Sequence, residues 1–361
     1  MTAPLRVLVV DDSAFNRRNI ADILSGSEEI EVVGKAADGE QALQLALSLR
    51  PDVITLDLEM PRMDGFTFLR ILMSRQPTPV IVVSSYSQKE NVFKALELGA
   101  LDFVAKPDRQ FSPDGPIRRE ILNKVLLVRF LRPTPHGGAP PRSGGRHANV
   151  SDSGRLAISE GLTSRAPGSG FKHVVAIASS TGGPTALIEL FSRITERFPG
   201  AIVIAQHMPD KFTRTFAERL DKKGALRCTE AVDGDIVASR RAFICPGGMC
   251  MDLVPSGNPS PEFKLRVGPP APNDRYVPSA DRLLRSVAMT AGARAIGIIL
   301  TGMGDDGVAG ARAIRDAGGT VIAESEETAV VYGMPRAAMS AGVVNESLSL
   351  PAIADFLALL A

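Results

Sequence analysis

The sequence predicts an α/β protein of two doubly wound parallel-sheet domains joined by a flexible linker. Three observations carry that prediction. Short β-branched runs alternate with amphipathic helical stretches in both halves, a Gly/Pro/Ser-rich segment separates the halves, and reactive side chains sit at the ends of the expected strands. With 361 residues, 44% hydrophobic and 22% charged, the chain can build two cores and is too apolar for wholesale disorder.

In the first half, strands are expected at 7–10, 30–34, 53–56, 80–83 and 101–105, each followed by a helical stretch. Five such units fit a flavodoxin-like sheet of order 2-1-3-4-5, whose site forms beyond the carboxyl ends of strands 1 and 3. Residues 131–170 hold 8 Gly, 5 Pro and 6 Ser and almost nothing large and apolar, so they read as a tether. The expected domains are therefore 1–130 and 171–361. The second half repeats the alternation in a Rossmann-like manner, with strands at 173–178, 201–205 and 295–300. Helices are expected at about 183–197, 279–291 and 306–317, and short strands in the Gly/Pro-rich stretch 240–267.

Several function classes are disfavoured at the outset. A formal charge of +1 offers no footprint for nucleic acid, and no apolar run approaches the roughly 18 residues of a membrane span. The start of the chain runs into charge without an apolar leader, and Cys228, Cys245 and Cys250 form no CxxC pair. A cytoplasmic, monomeric protein is expected.

Asp11 and Asp12 end the first strand and Asp57 ends the third, so three carboxylates should meet in one crevice. Two like charges about 4 Å apart cost about 4 kcal/mol at an effective dielectric near 20, which calls for a hard cation such as Mg²⁺. Ser84 and Lys106, at the ends of the fourth and fifth strands, add a hydroxyl and an ammonium. A metal, an ammonium and a carboxylate nucleophile are what phosphoryl transfer to an aspartate requires. A single strand-end Asp is more often a helix cap, but five such residues together are not.

The second half carries three strand-end loops. Ser179-Ser180-Thr181-Gly182-Gly183 could present a nucleophile at a helix start, or serve as a cap and phosphate cradle. Among four histidines, His136 and His147 lie in the tether and His173 reads as solvated, leaving His207 after the run AIVIAQ. The third loop, Leu300 to Gly307, holds Asp305 and Asp306, either of which could orient an imidazole. A hydroxyl, an imidazole and a carboxylate on one sheet edge suit nucleophilic acyl transfer.

VLVVDDS, TLDLEMPRMDG, VVSSYS and FVAKP resemble the receiver domain of two-component response regulators. The resemblance implies that Asp57 accepts phosphate from a histidine kinase, that Asp11 and Asp12 help bind Mg²⁺, and that Ser84 and Lys106 contact the phosphoryl group. Phe103 falls at the family's switch aromatic. SSTGG, AQHMP, PGG at 246–248, LTGMGDDG and Met334-Pro335 resemble the catalytic domain of the chemotaxis protein-glutamate methylesterase family, whose members also follow a receiver. That resemblance implies Ser180 as nucleophile, His207 as base, Asp306 as its orienting group, the Met303 amide at the oxyanion, and Thr181 at the site. The implied reaction is demethylation of glutamate methyl esters and deamidation of glutamines on chemoreceptors, with no cofactor in the catalytic half. The competing readings are a phosphorylation-gated binding protein without catalysis and a serine peptidase.

Overall fold

The computed structural model describes residues 3–85, 89–106, 116–131, 172–257 and 262–360. Apart from Leu131, the expected tether lies outside the described residues.

The first domain runs β1 (Leu5–Val10), α1 (Ala14–Ser25), β2 (Ile30–Ala36), α2 (Gly39–Leu49), β3 (Val53–Leu56), α3 (Gly65–Arg75), β4 (Val80–Ser85), α4 (Lys89–Glu97), β5 (Asp102–Lys106) and α5 (Pro116–Leu126). Its sheet is parallel with order β2-β1-β3-β4-β5. Ser13, Asp38 and Asp64 start α1, α2 and α3 by accepting backbone N–H groups, the capping role these residue types favour. β3 is buried at all four positions, as a strand covered by helices on both faces must be.

The second domain contains β6 (Val174–Ser179), α6 (Gly183–Arg193), β7 (Ala201–Gln206), α7 (Thr213–Lys223), β8 (Arg227–Glu230), β9 (Ile236–Val237), β10 (Arg241–Ile244), β11 (Cys250–Pro255), β12 (Phe263–Gly268), α8 (Ala280–Ala291), β13 (Ala295–Ile299), α9 (Val308–Asp316), β14 (Thr320–Glu324), α10 (Met334–Ser340), β15 (Glu346–Leu348) and α11 (Leu350–Leu359). Seven strands form a parallel sheet of order β15-β14-β13-β6-β7-β10-β8, and β11, β12 and β9 form a small antiparallel sheet. β11 is tied to α8 by Leu253, whose N–H donates to Ser286 Oγ at 2.9 Å and whose carbonyl accepts from Thr290 Oγ1 at 3.0 Å.

Two expectations need correction. α6 stops at Arg193 rather than near 197, because Ile194 turns extended with ψ 132° ahead of Phe198-Pro199-Gly200. His173 is half-buried rather than solvated, and burial, with Lys172 and Arg294 nearby, pushes its imidazole below the usual range.

The domains dock through α4 and β5 on one side and α6 and α7 on the other. Phe93 and Phe103 of the first domain meet Phe212 and Phe216 of the second. Ring centroids lie 4.6 Å apart for Phe103–Phe212 and 5.3 Å for the stacked Phe93–Phe216 pair. Arg219 grips Glu97 with two nitrogens, at 2.5 and 3.1 Å, at the edge of this apolar patch.

Candidate active site and phosphoacceptor pocket

β6 and β7 are paired in parallel with Ser179 opposite Gln206, so Ser180 and His207 leave the sheet as neighbours. Ser180 enters the turn to α6, where Gly182 takes φ 78°, a left-handed conformation that glycine adopts without steric cost. Buried Gln206 stitches the pair together. Its Nε2 donates to Ser180 O at 2.9 Å and His207 O at 3.0 Å, while its Oε1 accepts from Ser179 Oγ at 2.7 Å.

On the other side of β6, β13 delivers the loop from Leu300 to Gly307. Gly302 packs so closely on the nucleophile candidate that an added Cβ would lie 2.8 Å from Ser180 Cβ and against Met334 Sδ. His207 Nε2 lies 2.8 Å from Asp306 Oδ2. Asp306, 2% exposed, also accepts the amides of Ala280 and Asp281 at 2.8 and 2.9 Å, so the start of α8 stabilises its negative charge. A carboxylate only accepts, which assigns the imidazole proton to Nε2 and leaves a lone pair on Nδ1. Among the described residues no hydrogen bond joins Ser180 Oγ to the ring; the strand register and Gln206 are what bring the two residues together.

Asp305 points elsewhere, to Arg275 at 3.2 Å and to the Tyr276 hydroxyl, which donates to it at 2.9 Å. That hydrogen bond holds Tyr276 flat against His207, with ring centroids 5.3 Å apart and planes 8° from parallel. The loop before Met303 is heavily pinned. Thr301 N–H donates to Glu324 Oε2 at 2.8 Å, Thr301 O accepts Ser180 N–H at 3.1 Å, and Gly302 N–H donates to Val331 O at 3.0 Å. Among the described residues the Met303 amide donates to nothing, and the residue is 42% exposed.

Thr181 is committed across the domain boundary: its hydroxyl donates to Asp102 Oδ2 at 2.6 Å, and Asp102 is also held by Lys124 at 2.9 Å. Two cavities flank these loops. One of about 470 Å³ is lined by Tyr276, Arg282, Arg285, Asp306 and Arg312. The other, about 440 Å³, is lined by Met303, Val330, Tyr332 and Arg336, with Arg129 and Phe130 contributed by the first domain.

In the first domain, carboxylate oxygens of Asp11, Asp12 and Asp57 lie within 4.8 Å of one another. Lys106 Nζ sits 2.8 Å from Asp11 Oδ2 and 2.5 Å from Asp57 Oδ2. Burial pushes the Asp11 carboxyl above its ordinary range despite Lys106, and Asp57 adds to the effect. Burial opposes the charge on Lys106, but Asp57 and Asp11 outweigh it and raise its pKa. Apart from the Lys106 ion pair, Asp11 Oδ2 is buried without a hydrogen-bond partner. An oxygen-rich set of three mutually repelling carboxylates, served by one ammonium, fits a small hard cation. Ser84 is fully buried on β4, next to Ala105 of β5, and Phe103 is buried beneath Phe212.

Four residues at these sites escaped the sequence reading: Gln206, Tyr276, Asp102 and Glu324. Gln206 left a signal, a polar residue closing an all-apolar strand. The other three act through partners distant in sequence.

Residues 175–357 match the family model described as CheB methylesterase, and residues 7–111 match the response regulator receiver domain. A protein-glutamate methylesterase/protein-glutamine glutaminase of Myxococcus xanthus is 45% identical over 358 residues, 99% of this chain and 97% of that protein. A second from Geobacter sulfurreducens is 47% identical over 354 residues, covering 96% of this chain and 94% of that protein. The crystal structure of the Thermotoga maritima CheB methylesterase catalytic domain matches 53% of this chain and 99% of its own, at 35% identity and a TM-score of 0.50. Matched in this order by both models, and over almost its whole length by such relatives, the chain belongs to the CheB methylesterase family of receiver-linked hydrolases.

Proposed function

We propose that this enzyme demethylates glutamate methyl esters, and deamidates glutamines, on chemoreceptors through Ser180, His207 and Asp306, under control of phosphorylation at Asp57 by a histidine kinase. The observation that carries the catalytic reading is the 2.8 Å pair of His207 Nε2 and Asp306 Oδ2 on the loops beside Ser180.

Ser180 Oγ attacks the ester carbonyl carbon as its proton passes to His207 Nδ1, and the imidazolium is stabilised by Asp306. The carbonyl oxygen becomes an oxyanion that the free Met303 amide is suited to receive, a donor worth about 10²–10³ in rate where such groups have been removed. Collapse breaks the carbon–oxygen bond to methoxide, which takes the proton from His207 and leaves as methanol. Water then attacks the acyl-enzyme with His207 again as base, releasing glutamate and restoring Ser180. A glutamine side chain follows the same path with ammonia leaving. Tyr276 holds the imidazole in plane, and Gln206 fixes the backbone on both sides of the proton transfer.

In the receiver, Asp11, Asp12 and Asp57 would hold magnesium, which when bound neutralises charge on the transferring phosphoryl group. Asp57 forms the new P–O bond as the P–N bond of a phosphohistidine donor breaks, and Lys106 is placed to follow the phosphoryl oxygens. Control is read from the docked interface. Asp102 and Phe103, on the strand that ends in Lys106, hold Thr181 and Phe212, so a rearrangement of Lys106 is felt where the domains meet. Phosphorylation then shifts the population toward undocked, active molecules.

Methanol release from a methylated receptor tests the reading. Wild type is expected to release methanol, faster with a small phosphodonor and Mg²⁺. Ser180→Ala and His207→Ala are expected to abolish release; undiminished release by Ser180→Ala would remove the nucleophile assignment.

A further inference from the structure

Glu324 closes β14 and is fully buried, an unusual place for a carboxyl with so few partners. Its Oε2 accepts the Thr301 N–H at 2.8 Å, and its Oε1 has no hydrogen-bond partner. On the far side of the same residue, Thr301 O accepts the Ser180 N–H at 3.1 Å, and Thr301 Oγ1 donates to Thr181 O at 2.9 Å. One carboxyl therefore anchors the residue on which the nucleophile's own backbone hangs, two positions before Met303.

Resting on the hydrolase reading above, we propose that Glu324 is a positioning residue for ester hydrolysis, holding the Thr301 amide so that the Ser180 backbone and the Met303 N–H keep their relative placement. It touches no substrate and acts only through Thr301. Its charge state fits the task. Burial raises its pKa, Glu189 on α6 pushes the same way, and the Thr301 amide and the Thr328 hydroxyl push back less strongly. Burial disfavours an ionised carboxylate at this position, whereas a neutral acid still offers Thr301 its carbonyl oxygen. The required feature is the acceptor, not the charge.

That distinction makes the proposal testable in the full-length enzyme. Glu324→Gln keeps an acceptor of the same reach without a charge. Glu324→Met fills the same space and leaves the Thr301 N–H buried with nothing to bind. Methanol release from a methylated receptor gives kcat and KM, and thermal unfolding of each variant reports folding.

Glu324→Met is expected to lose about tenfold to a hundredfold in kcat with KM little changed, the cost of displacing a reacting group by about 1 Å. Glu324→Gln is expected to restore kcat to within about threefold of wild type. A Met variant with the wild-type kcat overturns the proposal, and so does a folded Gln variant that falls as far as Met. Ser180→Ala in the same series separates this from the underlying reading. Release persisting in Ser180→Ala would remove the hydrolase mechanism itself, while equal rates for all three Glu324 forms with an inactive Ser180→Ala would remove only the role of Glu324.

Discussion

Arg219→Glu probes whether the docked receiver restrains the hydrolase. Arg219 Nη2 and Nε meet the two oxygens of Glu97 at 2.5 and 3.1 Å, and the side chains are only 23% and 31% exposed. Hydrogen bonds to charged groups are worth about 1.5–3 kcal/mol when buried, and partial exposure reduces that. The variant also sets two carboxylates face to face, with Lys223, 3.6 Å from Glu97, left to offset part of the repulsion. A net loss of about 2 kcal/mol shifts the docking equilibrium roughly thirtyfold toward the open form. Methanol release by the unphosphorylated variant should therefore rise several-fold toward the phosphorylated rate. The swapped pair Glu97→Arg with Arg219→Glu should return it to the wild-type basal rate. A wild-type basal rate in Arg219→Glu, with hydrogen exchange showing α4 and α7 newly open, would refute docking as inhibition. Acid offers an independent handle on the same contact. Burial alone would raise the Glu97 pKa, but Arg219 and Lys223 outweigh it and hold it low. Its contribution to docking is thus full above its undocked pKa and is lost as pH falls through the docked one, so wild type should open on acidification and Arg219→Glu should not.

Other perturbations reach different parts of the account. Gly302→Ala puts a Cβ 2.8 Å from Ser180 Cβ and against buried Met334, so kcat should fall about a hundredfold and Tm should drop as well; an unaltered kcat would show that the approach is slack. Tyr276→Leu removes the ring stacked on His207 and should cost about tenfold in kcat, since an aromatic face over a partly desolvated cation is worth about 1–2 kcal/mol; a change in KM alone would contradict that role. Glu324 has a raised pKa in the fold, so its contribution is complete below the unfolded value and is lost as pH rises through the folded one. Urea unfolding should show Glu324→Gln gaining on wild type as pH rises above the unfolded carboxyl range, and a pH-independent difference would contradict a buried neutral acid.

Much of the fold was legible because parallel strands covered on both faces read as unbroken β-branched runs, as β3, β6 and β7 do. Chemistry collects at the carboxyl ends of such strands, which is why Asp57, Ser180, His207 and Lys106 could be singled out by position. The choice between Asp305 and Asp306 was not open to residue reasoning alone. Adjacent residues point in different directions: Asp306 turns to His207 and the start of α8, and Asp305 to Arg275 and Tyr276. The small antiparallel sheet is hard to foresee because β9 has two residues and pairs with β12 across a long stretch of chain. The Thr181–Asp102 bond spans 79 residues and two domains, and arises from docking rather than from any local pattern. Glu324 drew no notice in the sequence, because its partner Thr301 reaches it from the end of a neighbouring strand.

The most direct test of the central claim is to stop the reaction within its first turnovers and weigh the intact enzyme. A receptor peptide carrying a glutamate methyl ester should give a burst of methanol equal to the enzyme present, together with an acyl adduct that maps to Ser180. An adduct on any other side chain, or methanol release undiminished in Ser180→Ala, would contradict the mechanism.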